Sequence, residues 1–390
     1  MHRSTLWLSA VCGLSALASC ETRRYSTWML DSIVSRKQGV IASGETSSTL
    51  ESGFLALAIE ATVAQYPDVQ DRYASYLGQV LDLASPNLTN ATYAATRPLD
   101  RFSVARAVDR ASTAGIVSIS AVAASAHDAI NASLAIQNRN PDGGLWYYVY
   151  PQWSYMDGMF SVLPYMASLP RPNYTDIDLQ VSLLYDHCLQ KNTSLVVHGY
   201  DYSRTAVWAD KETGASPYVW SRAVGWFVAG LVQTWETLDC VAGGDGAKAS
   251  ACGKIQDVTT QLSTSLVRHA DPETGAWWQM AAYPGREGNY LESSATALFA
   301  WSFLKGERIG IFSPGCDVDF RKAALKAYEY TVSNFVTKTD NDTIGYDKTV
   351  AVCSLNSTAT YEYYVQRPLF PNSLLGESAF IMASLEVERD

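Results

Sequence analysis

Two carboxylates stand in sequence settings that suit acid chemistry. Asp157 follows a dense aromatic run, Trp146-Tyr147-Tyr148-Val149-Tyr150-Pro151-Gln152-Trp153-Ser154-Tyr155-Met156, and precedes Gly158-Met159-Phe160. Aromatic and methionine walls desolvate a carboxyl group and raise its pKa, so that it can hold a proton and act as general acid. The competing reading is a helix N-cap, a position that suits aspartate equally well. Asp100, in Leu99-Asp100-Arg101-Phe102, is a second acid ahead of a helical run, and its ordinary reading is an N-cap or a local pair with Arg101. If both acids share one pocket, like-charge repulsion raises one of them further.

Three further constellations accompany them. His198-Gly199-Tyr200-Asp201 is one; Trp220-Ser221-Arg222-Ala223-Val224-Gly225-Trp226 is another, with Arg222 and Trp226 four apart on one face of a mainly apolar helix. A lone arginine there needs a partner, either a protein acid or a ligand carboxylate held bidentately. In Asn289-Tyr290-Leu291-Glu292-Ser293-Ser294, Glu292 reads as a capping or helix-tying residue. His127, His187, His198 and His269 lack metal-ligand spacing, and neither a CxxC pair, a phosphate-binding glycine loop nor a GxSxG elbow occurs. The expected chemistry is therefore acid–base work without a metal or an organic cofactor.

The elements that position these residues are helical almost throughout. Ile177, Val181, Leu184 and Cys188 share one face, as do Ile255, Val258, Leu262 and Leu266, and then Leu325, Tyr328, Val332 and Phe335; each set leaves a polar opposite face. Trp220–Leu238, Ser294–Leu304 and Asn372–Leu385 are instead apolar nearly all round and must be buried on most sides. Ser48-Thr49-Leu50-Glu51 has capping-box spacing, and Gly306 reads as a helix stop after Lys305. Turns ending in Gly144, Gly214, Gly275 and Gly345 recur 70, 61 and 70 residues apart between surface and buried helices. That recurrence reads as an αα-hairpin repeated five to six times. Closing the hairpins into a ring shelters the apolar helices, so the expected fold is an all-α (α/α)6 toroid, a single-domain six-hairpin barrel. An open solenoid is the rival, and it lacks an evident polar end-capping repeat. In a ring, loops at one end of the inner helices enclose a funnel, where the functional residues belong.

Composition narrows the partners. With 29 Lys+Arg against 39 Asp+Glu the formal charge is −10, which argues against a nucleic-acid partner. Aromatics reach 12%, suited to stacking on ring-shaped ligands. Met1-His2-Arg3 followed by the apolar stretch from Thr5 to Ala18 reads as a secretory signal over residues 1–18, too short for a membrane anchor. A lipoprotein box at Leu17-Ala18-Ser19-Cys20 is the rival. Seven Asn-x-Ser/Thr sequons, at Asn87, Asn90, Asn131, Asn173, Asn192, Asn341 and Asn356, favour a glycosylated, extracellular export product. Cleavage after Ala18 leaves six cysteines, compatible with disulfides, and Cys240 with Cys252 around a Gly-rich loop is the best candidate pair. A monomer with no membrane partner is expected.

His198-Gly199-Tyr200-Asp201, Trp208-Ala209-Asp210, Thr213-Gly214, Trp220-Ser221-Arg222-Ala223 and Gly225-Trp226, with Met156-Asp157-Gly158-Met159 and Glu292-Ser293-Ser294-Ala295, resemble glycoside hydrolase family 105. Those are the unsaturated rhamnogalacturonyl hydrolases, with the family 88 unsaturated glucuronyl hydrolases as nearest relatives. The resemblance runs from about residue 28 to the C-terminal Gly376-Glu377-Ser378-Ala379-Phe380, giving one catalytic domain over 28–390. Ser221, where glycine is more usual, and Ser161 depart from the pattern. The resemblance implies removal of a C4=C5 unsaturated uronic acid from lyase-generated oligosaccharides by vinyl ether hydration. Asp157 would protonate C4 and help water add at C5, while Asp100 positions sugar hydroxyls. His198 and Arg222 would contact the substrate or its carboxylate, and Trp220 and Trp226 would shape the subsite. The rivals are an inverting glycosidase on saturated sugars using Asp157 and Asp100, which needs its carboxylates roughly 6.5–9.5 Å apart, and a non-catalytic sugar-binding protein.

Overall fold

The computed structural model describes residues 23–41, 47–339 and 341–389. The signal segment 1–18, Cys12 and the Cys20 box lie outside the described residues. Fourteen helices carry the described chain: α1 (Tyr25–Ser35), α2 (Ser48–Gln65), α3 (Gln70–Ala84), α4 (Ala91–Ala94), α5 (Arg101–Thr113), α6 (Ala121–Ala135), α7 (Met159–Ser168), α8 (Tyr174–Cys188), α9 (Ser221–Thr237), α10 (Gly246–His269), α11 (Ser293–Arg308), α12 (Phe320–Asn334), α13 (Tyr361–Val365) and α14 (Leu374–Val387). Helices α2, α5, α7, α9, α11 and α14 pack in that cyclic order, and α14 returns to α2, which closes the ring. Outer helices α1, α3, α6, α8, α10 and α12 complete six αα-hairpins, so the (α/α)6 toroid expected from the sequence is the fold.

Burial follows the apolar pattern. Every residue of α9 from Ser221 to Trp235 is buried, as is every residue of α14 from Leu374 to Glu386. Outer helices bury one stripe only, as α12 does with Phe320, Ala324, Ala327, Tyr328 and Thr331. Close approach of inner helices needs small residues. A Cβ on Gly230 would stand 2.5 Å from the Met159 carbonyl oxygen across the α7/α9 contact. At the C-terminal ends of the inner helices a belt of charge ties the ring together. Arg110 pairs with Glu60 at 2.9 Å, Lys305 with Glu236 at 2.7 Å and Arg308 with Glu386 at 2.7 Å, while Arg106 donates to Gln233.

Two helix signals shift. The Ser48 capping box does not form; Ser47 is the N-cap residue, and its hydroxyl donates to the Glu51 carboxylate at 2.7 Å. Gly306 lies inside α11, which runs on to Arg308, and the left-handed residue after the helix is Gly310 at φ 72°. The helix continues because Gly306 sits against Phe312 and Ile311, where a Cβ would meet Phe312 at 2.8 Å. Cys240 and Cys252 form the expected disulfide, whereas Cys188, Cys316 and Cys353 are free thiols, with Cys188 and Cys353 buried.

The inter-helix loops carry four two-stranded antiparallel ribbons built from β1 (Trp153–Tyr155), β2 (Leu189–Gln190), β3 (Leu195–Val196), β4 (Gly199–Asp201), β5 (Val336–Lys338), β6 (Ile344–Tyr346), β7 (Thr349–Val350) and β8 (Leu369–Phe370). Two of them build the site. Strand β1 pairs with β4, setting Trp153 opposite Asp201 and Tyr155 opposite Gly199; β7 pairs with β8, setting Val350 opposite Leu369.

Candidate active site

The β1/β4 ribbon brings the two acid-rich motifs together. The Met156 amide donates to the His198 carbonyl at 3.1 Å, so Asp157 and His198 are neighbours by backbone pairing before any side-chain contact is made. A Cβ on Gly199 would lie 2.4 Å from the Ser154 carbonyl oxygen, which accounts for the glycine after the histidine. Asp201 closes the loop that follows, accepting from the backbone amides of Ser203, Thr205 and Ala206. Its role is architectural.

Asp157, Asp100, Trp220, Arg222 and Trp226 line one cleft of about 380 Å³, with Tyr147, Tyr148, Tyr150, Tyr155 and the Val352–Ser354 stretch as further walls. Five of the six inner helices present their N-terminal ends to it, through Leu50, Asp100, Asp157, Trp220 and Leu375. Unpaired amide groups and aligned peptide dipoles at those ends favour negative charge in the cleft, despite the net charge of −10 on the whole chain.

Neither acid caps a helix through its side chain. The residue capping α7 is Gly158, and Asp157 makes no side-chain cap bond. Asp157 Oδ2 instead lies 3.0 Å from His198 Nε2. The two atoms are close but not aligned as a hydrogen bond, and both count among the buried polar atoms lacking one. Asp100 occupies the N-cap position of α5 without a side-chain cap bond, and its Oδ2 accepts from the Tyr147 hydroxyl at 2.9 Å. Arg101 turns away to Ser133 and Gln137 and is no local partner.

Burial pushes the Asp100 carboxyl up to about 7, with the Asp157 charge adding to the rise and the Tyr147 hydrogen bond and Arg101 opposing it. The raised acid at Asp100 is enclosed at the head of α5.

His198 is fully buried behind Asp157 and does not line the cleft, contrary to the expected substrate contact. Its Nδ1 meets the Tyr364 hydroxyl at 2.8 Å, and its ring packs against Trp220 and Tyr155. It is placed to orient Asp157. Tyr155 in turn stacks on Tyr147 at 4.5 Å, joining the surroundings of the two acids.

Arg222 finds its partners within the protein. Its guanidinium donates to the carbonyls of Val350 at 2.6 Å and Ala351 at 2.9 Å and stands 3.9 Å from Glu292. Glu292 caps α11 by accepting from the Ala295 amide at 2.7 Å and holds the β7 loop through the Val350 amide at 3.0 Å. Arg222 Nε has no partner, in the wall of the cleft. Ser221, the unusual residue beside it, donates to the Trp278 carbonyl, a bond glycine could not make. Trp220 donates to Gln279 at 3.1 Å, and Trp226 packs between Phe54 and Phe160 as the floor.

Asp100 Oδ1 and Arg222 Nε, on residues that line this cleft, are buried without a hydrogen-bond partner. Buried polar groups are ordinarily satisfied, so their convergence marks where a polar ligand completes the network. Sequence reasoning missed Tyr364 and the loop from Val350 to Asn356, which reach the site from far along the chain. The cluster Tyr361-Glu362-Tyr363-Tyr364 was the available signal.

A six-hairpin toroid with a carboxylate-bearing, aromatic-walled cleft is the frame in which the family match is read. The chain belongs to Glycosyl Hydrolase Family 88, whose profile matches residues 118–390, and it is a glycosidase. It is 29% identical over 202 residues to Protein Atu3128 of Agrobacterium fabrum, covering 49% of this chain and 81% of that protein. Its fold is similar to a family 105 glycoside hydrolase from C. acetobutylicum, with TM-score 0.81 at 22% identity over 94% of this chain and 100% of that one. It is also similar to an unsaturated glucuronyl hydrolase from Bacillus sp. GL1, with TM-score 0.62 at 13% identity over 90% and 88%. Among the described residues no helix is long and apolar enough to cross a membrane.

Proposed function

We propose that the enzyme removes C4=C5 unsaturated uronic acid from the non-reducing end of oligosaccharides left by polysaccharide lyases, with unsaturated galacturonyl-rhamnose as the leading substrate. The carrying observation is the Asp157 carboxylate, free of any capping role and held against His198 in an aromatic cleft. In the proposed reaction the Asp157 carboxyl gives its proton to C4, and the positive charge at C5 is shared with the ring oxygen. Water then bonds to C5 and returns a proton to Asp157. The hemiketal opens to a C5 ketone, the former ring oxygen becomes a hydroxyl on C1, and collapse at C1 expels the neighbouring sugar as an alcohol.

Burial raises the Asp100 carboxyl to about 7, and the neighbouring Asp157 charge adds to that rise. The converging helix N-termini and the free Nε of Arg222 suit the uronate carboxylate. The chain acts outside the cell as a glycosylated monomer in this reading. A screen for loss of the double bond's ultraviolet absorbance over a panel of lyase products tests it; absence of turnover on every galacturonyl and glucuronyl member would refute it. The raised Asp100 carboxyl favours one second reading, an inverting glycosidase with Asp100 as acid and Asp157 as base. That enzyme would hydrolyse saturated sugars.

A further inference from the structure

The seven sequons carry information beyond their number. All seven acceptor asparagines are exposed, whereas among the other five asparagines Asn140 is buried and Asn289 and Asn372 are half-buried. Where the acceptor asparagines of outer segments have side-chain partners, it is Oδ1 that is engaged. Asn90 accepts from the Tyr93 amide, Asn131 from the Tyr165 hydroxyl, Asn173 from the Asp176 amide and Asn341 from the Thr343 hydroxyl. The amide nitrogen, the atom that takes a sugar, is left uncommitted.

Asn356 differs in position. Of the seven, it alone lines the Asp157 cleft. Its side chain lies by the Tyr150 hydroxyl, as does that of Ser354, and all three residues line the cleft. Asn356-Ser357-Thr358 is a complete acceptor sequence, and Thr358 is exposed outside the cleft wall.

We propose that Asn356 carries an N-linked oligosaccharide that stands over the mouth of the Asp157 cleft and restricts entry to short substrates. The inference rests on the proposed export of the chain and on its proposed oligosaccharide substrate. The co-reactant is a lipid-diphosphate-linked oligosaccharide. The Asn356 amide nitrogen bonds to its anomeric carbon, the carbon–oxygen bond to diphosphate breaks with its electron pair leaving on the diphosphate, and an amide proton goes to the transferase. One N–H remains on the modified nitrogen and is still a donor. The cleft of about 380 Å³ is small for a ligand site and accepts a short oligosaccharide beneath such a cover.

The test uses the full-length protein secreted from a glycosylating eukaryotic host, with Thr358→Ala and Thr358→Ser as variants. Thr358→Ala destroys the acceptor sequence and leaves every cleft residue in place; Thr358→Ser preserves both. Glycopeptide mass mapping is expected to show a glycan on Asn356 in the wild type and in Thr358→Ser, lost in Thr358→Ala. With an unsaturated disaccharide, kcat/KM is expected to be equal in all three. With an unsaturated hexasaccharide it is expected to rise severalfold in Thr358→Ala alone. An unmodified Asn356 in the wild type overturns the proposal, and so does an unchanged hexasaccharide-to-disaccharide ratio after loss of the glycan. Occupancy is read by mass, so failure of the glycan is seen separately from failure of the substrate reading.

Discussion

Replacing Asp100 by asparagine should make the protein more stable above neutral pH while impairing its site. The carboxyl rises from the ordinary aspartate value of 3.8 to about 7 in the fold, chiefly through burial. A group whose pKa is raised by folding contributes stability fully present below the unfolded value and lost as pH climbs through the folded value. For Asp100 that loss runs from about pH 4 to about pH 7, and a rise of roughly 3 in pKa at about 1.4 kcal/mol each corresponds to about 4 kcal/mol. Asparagine cannot ionise. It keeps an acceptor for the Tyr147 hydroxyl, but its new NH2 occupies the place of the unpartnered Oδ1, at a cost of about 1 kcal/mol. The net expectation is a variant about 1 kcal/mol less stable than wild type at pH 4 and about 3 kcal/mol more stable at pH 8. Urea denaturation of both proteins at the two pH values measures this directly. Glu60 and Glu377, also pushed up to about 7 by burial, tilt both proteins alike and cancel in the difference. Tyr147→Phe should act oppositely, deepening the loss of stability with pH, because the hydrogen bond it removes holds the Asp100 pKa down. A D100N difference that stays constant between pH 4 and pH 8 would refute the reasoning.

Other perturbations test the remaining parts of the account. Asp157→Asn should lower kcat by about a thousandfold with little change in KM, since it removes a proton transfer and keeps the cleft's shape. Glu292→Gln puts an amide NH2 among the Val350 amide, the Ala295 amide and the Ser294 hydroxyl and leaves Arg222 without its acid; a loss of roughly 3 kcal/mol on denaturation is expected. Gly230→Ala should cost about 2 kcal/mol by forcing α7 and α9 apart, seen as a lower urea midpoint. Converting Cys240 and Cys252 to serine should lower stability by about 2–3 kcal/mol, given the 12-residue separation they close, without changing kcat.

The toroid was legible because its cause is written in one-dimensional periodicity. Helices such as α9 and α14, apolar on every side, can exist only inside something, and the Gly-bearing turns spaced 61 to 70 residues apart supply one hairpin each. Local punctuation was less legible. Gly306 looks like a stop but is a packing glycine against Phe312, and a contact made through the fold overrides the local signal. At the site, the motifs named Asp157, Asp100, Trp220, Arg222 and Trp226 as cleft residues, and they line one cleft. What the motifs could not convey was direction. His198 lies behind Asp157 because β1 pairs with β4, and Arg222 faces the carbonyls of Val350 and Ala351, more than a hundred residues away in sequence. The position of the raised acid depends equally on enclosure by Tyr147 and the head of α5, a three-dimensional property.

The measurement closest to the central claim places the purified protein with an unsaturated uronyl disaccharide and, separately, with its saturated counterpart, following ultraviolet absorbance and release of the reducing-end sugar together. The account predicts that absorbance falls in step with sugar release from the unsaturated compound and that the saturated one is untouched. Sugar released while the double bond persists, or saturated disaccharide cleaved at a comparable rate, would contradict hydration of the vinyl ether and point to direct displacement at the anomeric carbon.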